Sequence, residues 1–293
     1  MSDRALTVKV TATRRLTLRI TTRHLALGLL YLLLIAGAAL ALLPFGWMVS
    51  TSLKRLPEVF SWPIEWLPDR PIWENYVTVF EHVPFLRFYA NTVFVTLAST
   101  LGLLVTSCMA GYALARLRFP GRDLLFLIYL GTMMIPGQVT LIPRFITMRL
   151  LHWIDTYQAL IVPGMFSAFG VFLMRQFFMG IPRSLDDAAI LDGASHFDIF
   201  WRIALPLSKP AIATLIIFAF VGSWNDFLWP LVVTNSVDKL VLSVGLSHFQ
   251  DLYYTEWTLL MAASVMAMVP VLAVYVLAQR YFVQGIALTG IKG

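Results

Sequence analysis

Residues 184–206 read SLDDAAILDGASHFDIFWRIALP, a long polar interruption between strongly apolar segments. The stretch is punctuated as two short helices meeting at a bend. Ser184, followed three residues on by Asp187, has the spacing of a capping box at a helix start. Asp186 and Asp187 place negative charge in that first turn, where the helix dipole favours it. Gly193 ends the helix. Ser195 and Asp198 repeat the start signal, and Pro206 is expected to stop the second helix. Such a knuckle suits docking into another protein's cleft. A solvated loop with ordinary caps is the plainer alternative.

The flanking sequence sets where this knuckle lies. The chain of 293 residues is 59% hydrophobic and only 13% charged, about half the charged share of a soluble domain. The bilayer is therefore its expected solvent. Six apolar windows carry almost no charge: 24–53, 88–115, 124–143, 156–174, 210–225 and 257–279. A spanning helix needs about 20 mostly apolar residues, and in lipid only helices satisfy every backbone group within one segment. The expected fold is an all-α integral membrane protein with six transmembrane helices. Breaks at Pro136 and Pro230 make the third and fifth irregular.

Six spans put both termini on one side. Fifteen of the 22 Lys and Arg fall on the face that carries the N-terminal segment, residues 116–123, 175–209 and the tail. The positive-inside rule makes that face cytoplasmic, with both termini and the knuckle. The chain divides into a basic arm (1–24), a transmembrane domain (25–283) and a short tail (284–293). The arm suits anionic lipid headgroups and an uncleaved anchor, because its apolar run is too long for a signal peptide. The net charge of +6 is spread between apolar segments, which argues against nucleic acid. Trp62, Trp66 and Trp73, in the longest external segment, fit an interfacial aromatic belt.

The chemistry that is missing also narrows the function. There is no GxxxxGK[ST] run, HExxH, CxxC or GxSxG. Cys108 is the single cysteine, and the five histidines are scattered over both faces. No bond chemistry is expected of this chain, so it reads as a transporter or channel subunit.

Asp187-Ala188-Ala189, then Asp192-Gly193-Ala194, then Ile203, Leu205 and Pro206 resemble the EAA signature of binding-protein-dependent ABC importer permeases. The match holds in residue types, spacing and position before the fifth span. Asp187 stands where the family usually has Glu, one methylene longer. Ser223-Trp224-Asn225-Asp226 is similar to a stretch of carbohydrate-uptake permeases. The tail QGIALTGIKG (284–293) resembles that of the MalG-like member of the permease pair. The resemblance covers roughly residues 25–293.

It implies a type I ABC importer permease fold in a bacterial or archaeal cytoplasmic membrane. The EAA-type residues would form a coupling helix seated in a cytoplasmic ATPase. Gly290, Lys292 and Gly293 would reach toward that ATPase. The implied partners are a second homologous permease, a pair of ATP-binding subunits holding ATP and Mg, an external solute-binding protein, a carbohydrate and membrane lipid. This chain itself would bind no cofactor and no metal.

Asp226, close to a membrane segment, is a functional candidate. Asn225 and Asp226 suit sugar hydroxyls and Trp224 a sugar ring; the alternative is that they cap or pin the fifth span. Asn91, Gln138 and Arg144 are further, weaker pathway candidates. Arg144 and Arg175 read as snorkelling residues. Phe197, Phe200 and Trp201, three and four apart, form an apolar face for own-protein or partner packing. The expected solute is a di- or oligosaccharide, because the spans hold almost no fixed cations. A glycerol phosphate type solute, or a self-contained secondary transporter, is the alternative.

Overall fold

The computed structural model describes the backbone of residues 3–251 and 253–290, and the side chains of 24–251 and 253–277. Its regular elements are helices: α1 (Asp3–Ser52), α2 (Leu56–Val59), α3 (Glu74–His82), α4 (Phe85–Arg116), α5 (Arg122–Gly131), α6 (Leu141–Leu150), α7 (Tyr157–Ile161), α8 (Ala168–Gly180), α9 (Arg183–Leu191), α10 (His196–Ile199), α11 (Leu205–Leu207), α12 (Lys209–Trp224), α13 (Leu228–Val233), α14 (Leu242–Gly245) and α15 (Trp257–Gly290).

Among the described residues, four stretches are long and apolar enough to cross a membrane: His24–Ser52, Phe85–Arg116, Tyr157–Gly180 and Trp257–Leu277. A fifth is a pair, His196–Leu207 and Lys209–Trp224, bent by 78°. The third apolar window is not one helix. It stops at Gly131, makes a 3-10 turn over Thr132–Met134, and resumes at Leu141. Ile135, held extended ahead of Pro136 (φ −86°, ψ 114°), cannot continue a helix, so the expected kink is a complete break. The fifth window breaks earlier than expected, after Trp224. Pro230 sits inside α13 at its third residue, where a missing N–H costs no helical bond.

The helix α4 is the central pillar. Near its N-terminal end Phe88 joins a cluster with Trp224, Trp229, Val233 and Leu242. Near its other end Tyr112 joins Met174, Phe178, Ile199, Phe200 and Leu215. Between apolar helices in lipid, association rests on close packing rather than water exclusion. Gly111 shows it: a Cβ there would meet the Met174 Cβ at 2.8 Å, so α4 and α8 approach this closely only because the position is glycine.

The segment after α1 is pinned by side chains that bond backbone carbonyls. Asn75 Nδ2 donates to the Ser52 and Lys54 carbonyls, both at 2.9 Å. Lys54 is fully buried; its Nζ donates to the Glu65 carbonyl and lies 4.3 Å from the Trp47 ring centroid. Trp62, Trp66 and Trp73 stand exposed. Asp155, with φ 61°, ties the turn before α7 to the chain after α13. Its Oδ1 accepts from the Asn235 N–H, the Ser236 N–H and the Ser236 hydroxyl, each at 3.0 Å. Burial alone would raise this carboxyl, but those hydrogen bonds outweigh it and hold it below the usual carboxylate range.

Candidate functional site

The knuckle starts two residues earlier than the capping pattern suggests. Pro182, with φ −57° and ψ 132°, is the residue preceding α9 and sets its entry angle. Ser184 therefore lies inside the first turn and caps nothing. The capping box expected of Ser184 and Asp187 does not form, because proline's fixed φ already supplies an extended entry.

The end of α9 follows the sequence closely. Gly193 adopts φ +83°. Its N–H donates to the Ile190 carbonyl at 3.0 Å, and the Ala194 N–H to the Ala189 carbonyl at 2.9 Å. This is the Schellman pair of bonds, which closes the helix and turns the chain sharply. The second box does form. Ser195 Oγ accepts from the Asp198 N–H at 3.2 Å, while Asp198 Oδ2 accepts from the Ser195 N–H at 3.1 Å.

Pro206 does not stop the second helix. Phe200–Ala204 widens into a π-helical turn, and the helix carries through Pro206 to Leu207. The Leu205 N–H reaches five residues back, to Phe200, so the register has already shifted when the proline enters. The sharp bend comes at Ser208, whose N–H and Oγ both bond the Ala204 carbonyl, at 3.1 and 2.7 Å.

Two residues of α4 hold this knuckle. Arg116 Nη1 pairs with Asp186 Oδ2 at 3.1 Å, with the two side chains 4% and 18% exposed. Arg116 Nη2 donates to the Ile181 carbonyl at 2.7 Å. Tyr112 Oη donates to the His196 carbonyl at 3.2 Å. One helix thus grips both arms of the bend. Sequence reading counted Arg116 only toward the charge bias and gave Asp186 only a dipole role. No local signal links them, since the fold alone brings them together.

Of the EAA-type residues, Asp187, Ala188, Asp192, Gly193 and Pro206 are exposed; Ala189, Ala194, Ile203 and Leu205 are half-buried. Asp187 lines a cleft of about 510 Å³ with Arg116, Arg118, Arg183 and His196. The three aromatics divide. Phe200 packs on Tyr112, with ring centroids 5.1 Å apart, whereas Phe197 and Trp201 are 68% and 62% exposed. Leu191, beside the bend, is 88% exposed.

The pathway candidates also divide. Trp224 is buried, its Nε1 donating to the Ala267 carbonyl at 3.1 Å and its ring stacked on Phe220 at 5.5 Å. Together with Asn225, Ser243 and Ser264 it lines a pocket of about 260 Å³. Asn225 Nδ2 turns back to the Val221 carbonyl at 3.0 Å. Asp226 Oδ1 accepts from the Trp229 N–H at 3.5 Å, a long contact over the first turn of α13. This arrangement favours the pinning alternative for Asp226. Asn91 is buried and saturated: it donates to the Asp238 and Leu240 carbonyls at 2.9 and 2.8 Å and accepts from Tyr157 Oη at 2.7 Å. It staples the external loop. Gln138 is exposed in the turn that divides the third window. Gly290 ends α15, and Lys292 and Gly293 lie outside the described residues.

Neither basic residue read as snorkelling is free. Arg144 lies 3.8 Å over the Trp229 ring, with its buried Nε unpartnered. Arg175 lies 3.9 Å over Phe126, bonds the Leu114 carbonyl at 3.3 Å and pairs with Asp123 at 3.4 Å.

Comparison with known proteins places this architecture. Residues 88–288 match the family model described as binding-protein-dependent transport system inner membrane component. The arabinooligosaccharides transport system permease protein AraQ of Bacillus subtilis (strain 168) is 35% identical, covering 92% of this chain and 96% of its own. The sn-glycerol-3-phosphate transport system permease protein UgpE of Yersinia enterocolitica is 34% identical, covering 87% and 94%. A chain from the crystal structure of a bacterial ABC transporter that imports the acidic polysaccharide alginate superposes with a TM-score of 0.79. It is 30% identical, covering 86% of this chain and 94% of its own. The chain belongs to the family of binding-protein-dependent transport system inner membrane components.

Proposed function

We propose that this chain forms half of the translocation pathway of an ATP-driven importer for a di- or oligosaccharide. It carries no nucleotide chemistry of its own. A separate pair of ATP-binding subunits supplies ATP and Mg, and a second homologous permease completes the pathway. An external solute-binding protein delivers the sugar. The coupling contact is the knuckle, chiefly Asp187–Ala189, Asp192–Ala194 and the Ile203–Leu205–Pro206 run. The observation that carries the reading is the exposed apolar rim of Leu191, Phe197 and Trp201 on a bend gripped from behind by Arg116 and Tyr112. Apolar side chains held rigidly outward on a polar loop fit burial in a partner's cleft.

Purification from native membrane in mild detergent tests this. Co-purification of an ATPase chain and a second permease supports it. Recovery of the chain alone in several mild detergents sinks it. Within the complex the two aromatic roles separate. Trp201→Ala should leave thermal stability within about 0.5 kcal/mol but reduce recovery of the ATPase. Phe200→Ala should cost about 3–5 kcal/mol of stability by emptying the contact with Tyr112 and Phe178.

Arg144 favours a second reading, a phosphate-bearing or otherwise anionic solute. It is a fixed cation among apolar helices, with an unpartnered Nε. Arg144→Leu should abolish uptake of an anionic solute in proteoliposomes and spare a neutral one. Equal loss of both would leave Arg144 as a packing residue over Trp229.

A further inference from the structure

We propose that Arg118, Arg122 and Arg183 form a binding site for one anionic phospholipid, which clamps the first helix of the knuckle to the turn between the second and third apolar windows. A cleft of about 470 Å³ lies between that turn and the start of α9, walled by the three arginines with Phe119, Asp123 and Leu124. The 510 Å³ cleft beside it shares Arg118, Phe119 and Arg183 and adds Arg116 with the Asp186 and Asp187 carboxylates, of which Asp186 is paired with Arg116. Two cations therefore stand on the wall common to both clefts.

Arg122 is engaged by Asp123 and the Leu117 carbonyl, but the other two charges are unspent. Neither the Arg118 nor the Arg183 guanidinium has an ion pair or hydrogen bond among the described residues. The Asp123 carboxylate is already paired with Arg122 at 3.0 Å and Arg175 at 3.4 Å, so it does not neutralise them. Arg116 Nε, in a side chain only 4% exposed, also lacks an acceptor. A phosphate group matches this need, since its oxygens accept from several guanidinium forks at once.

Free phosphate shares that chemistry, but the remaining walls favour a lipid. Phe119 is 39% exposed and Leu124 63%. Leu125, Leu127 and Ile128 continue an exposed apolar surface along α5. An anionic head beside an apolar track suits a phospholipid whose acyl chains run along α5. A partner's acidic loop would meet the same charges but would leave that track uncovered. Because Arg183 is the first residue of α9, occupancy would tie the position of the coupling knuckle to the lipid around it. This inference does not depend on which solute is carried.

The test uses the full chain in its native complex, placed in phosphatidylcholine nanodiscs with and without phosphatidylglycerol. Native mass spectrometry reads retained lipid, and hydrogen exchange reads residues 183–191. Phosphatidylglycerol should be retained and should slow exchange there. The double variant Arg118→Gln, Arg183→Gln should retain about tenfold less, by loss of two headgroup contacts. If that variant does not assemble, each single substitution should lower retention about threefold. Unchanged retention in the variants overturns the site. So does equal protection by inorganic phosphate in pure phosphatidylcholine, which would assign a free anion instead. Protection that needs the ATPase but not phosphatidylglycerol would assign the clefts to the partner and overturn it as well.

Discussion

Replacing Arg116 with methionine is expected to destabilise the purified transporter by about 3–5 kcal/mol and to abolish coupled transport. Arg116 and Asp186 are largely removed from water, and their 3.1 Å contact is supported by a 2.7 Å bond to the Ile181 carbonyl. Taking away the cation leaves Asp186 as an under-solvated charge and frees the entry to α9. Breaking one side of such a pair costs more than deleting both sides. Arg116→Met with Asp186→Leu should therefore recover most of the melting temperature. It should not recover transport, because α4 would no longer be tied to the first arm of the knuckle. Thermal melts and solute-stimulated ATP hydrolysis of the assembled complex read the two effects separately. A single variant that melts and transports like the parent would remove Arg116 from the coupling argument.

Gly193→Val should leave membrane insertion intact and cut ATPase recovery at least about tenfold. At φ +83° a side chain strains the backbone by roughly 1–2 kcal/mol, and a β-branched one by more. Each 1.4 kcal/mol is about a factor of ten in an equilibrium. Relief of that strain by relaxation of φ toward negative values breaks the two Schellman bonds and redirects the chain between the two arms of the bend. Gly193→Asn, which tolerates the left-handed region, should recover much of the loss. Normal pull-down of the ATPase by the valine variant would show that the bend is incidental to docking.

The legible and illegible parts of this chain differ in range. The Gly193 stop, the Ser195–Asp198 box and four of the apolar windows are written in neighbouring residues and formed as read, whereas the third window is divided and the fifth is bent. Ser184 failed because Pro182, two residues upstream, set the entry to α9 first. Pro206 did not stop its helix because a π-helical turn over Phe200–Ala204 shifted the register ahead of it. Asn91 looked like a pathway residue because a polar side chain in an apolar run has no local reason to be there. Its reason is the pair of carbonyls at Asp238 and Leu240, 147 and 149 residues further along the chain. Trp224 suits either a sugar ring or a pin for the fifth span from sequence alone; in the fold it stacks on Phe220 and donates to Ala267 while still lining the 260 Å³ pocket. The grip of Arg116 on Asp186 has the same long-range origin.

The divided third window has a consequence for the fate of the chain in the cell. Residues 135–140 are non-helical, and every one of them is exposed. Hydrocarbon does not tolerate loose backbone at its surface, since each unmatched amide or carbonyl costs several kcal/mol there. Where such a strip lies within hydrocarbon, it needs a polypeptide neighbour or a water-filled lumen. A chain inserted without that neighbour would carry an unhealed seam, the kind of flaw that quality-control proteases recognise, and is expected to be short-lived.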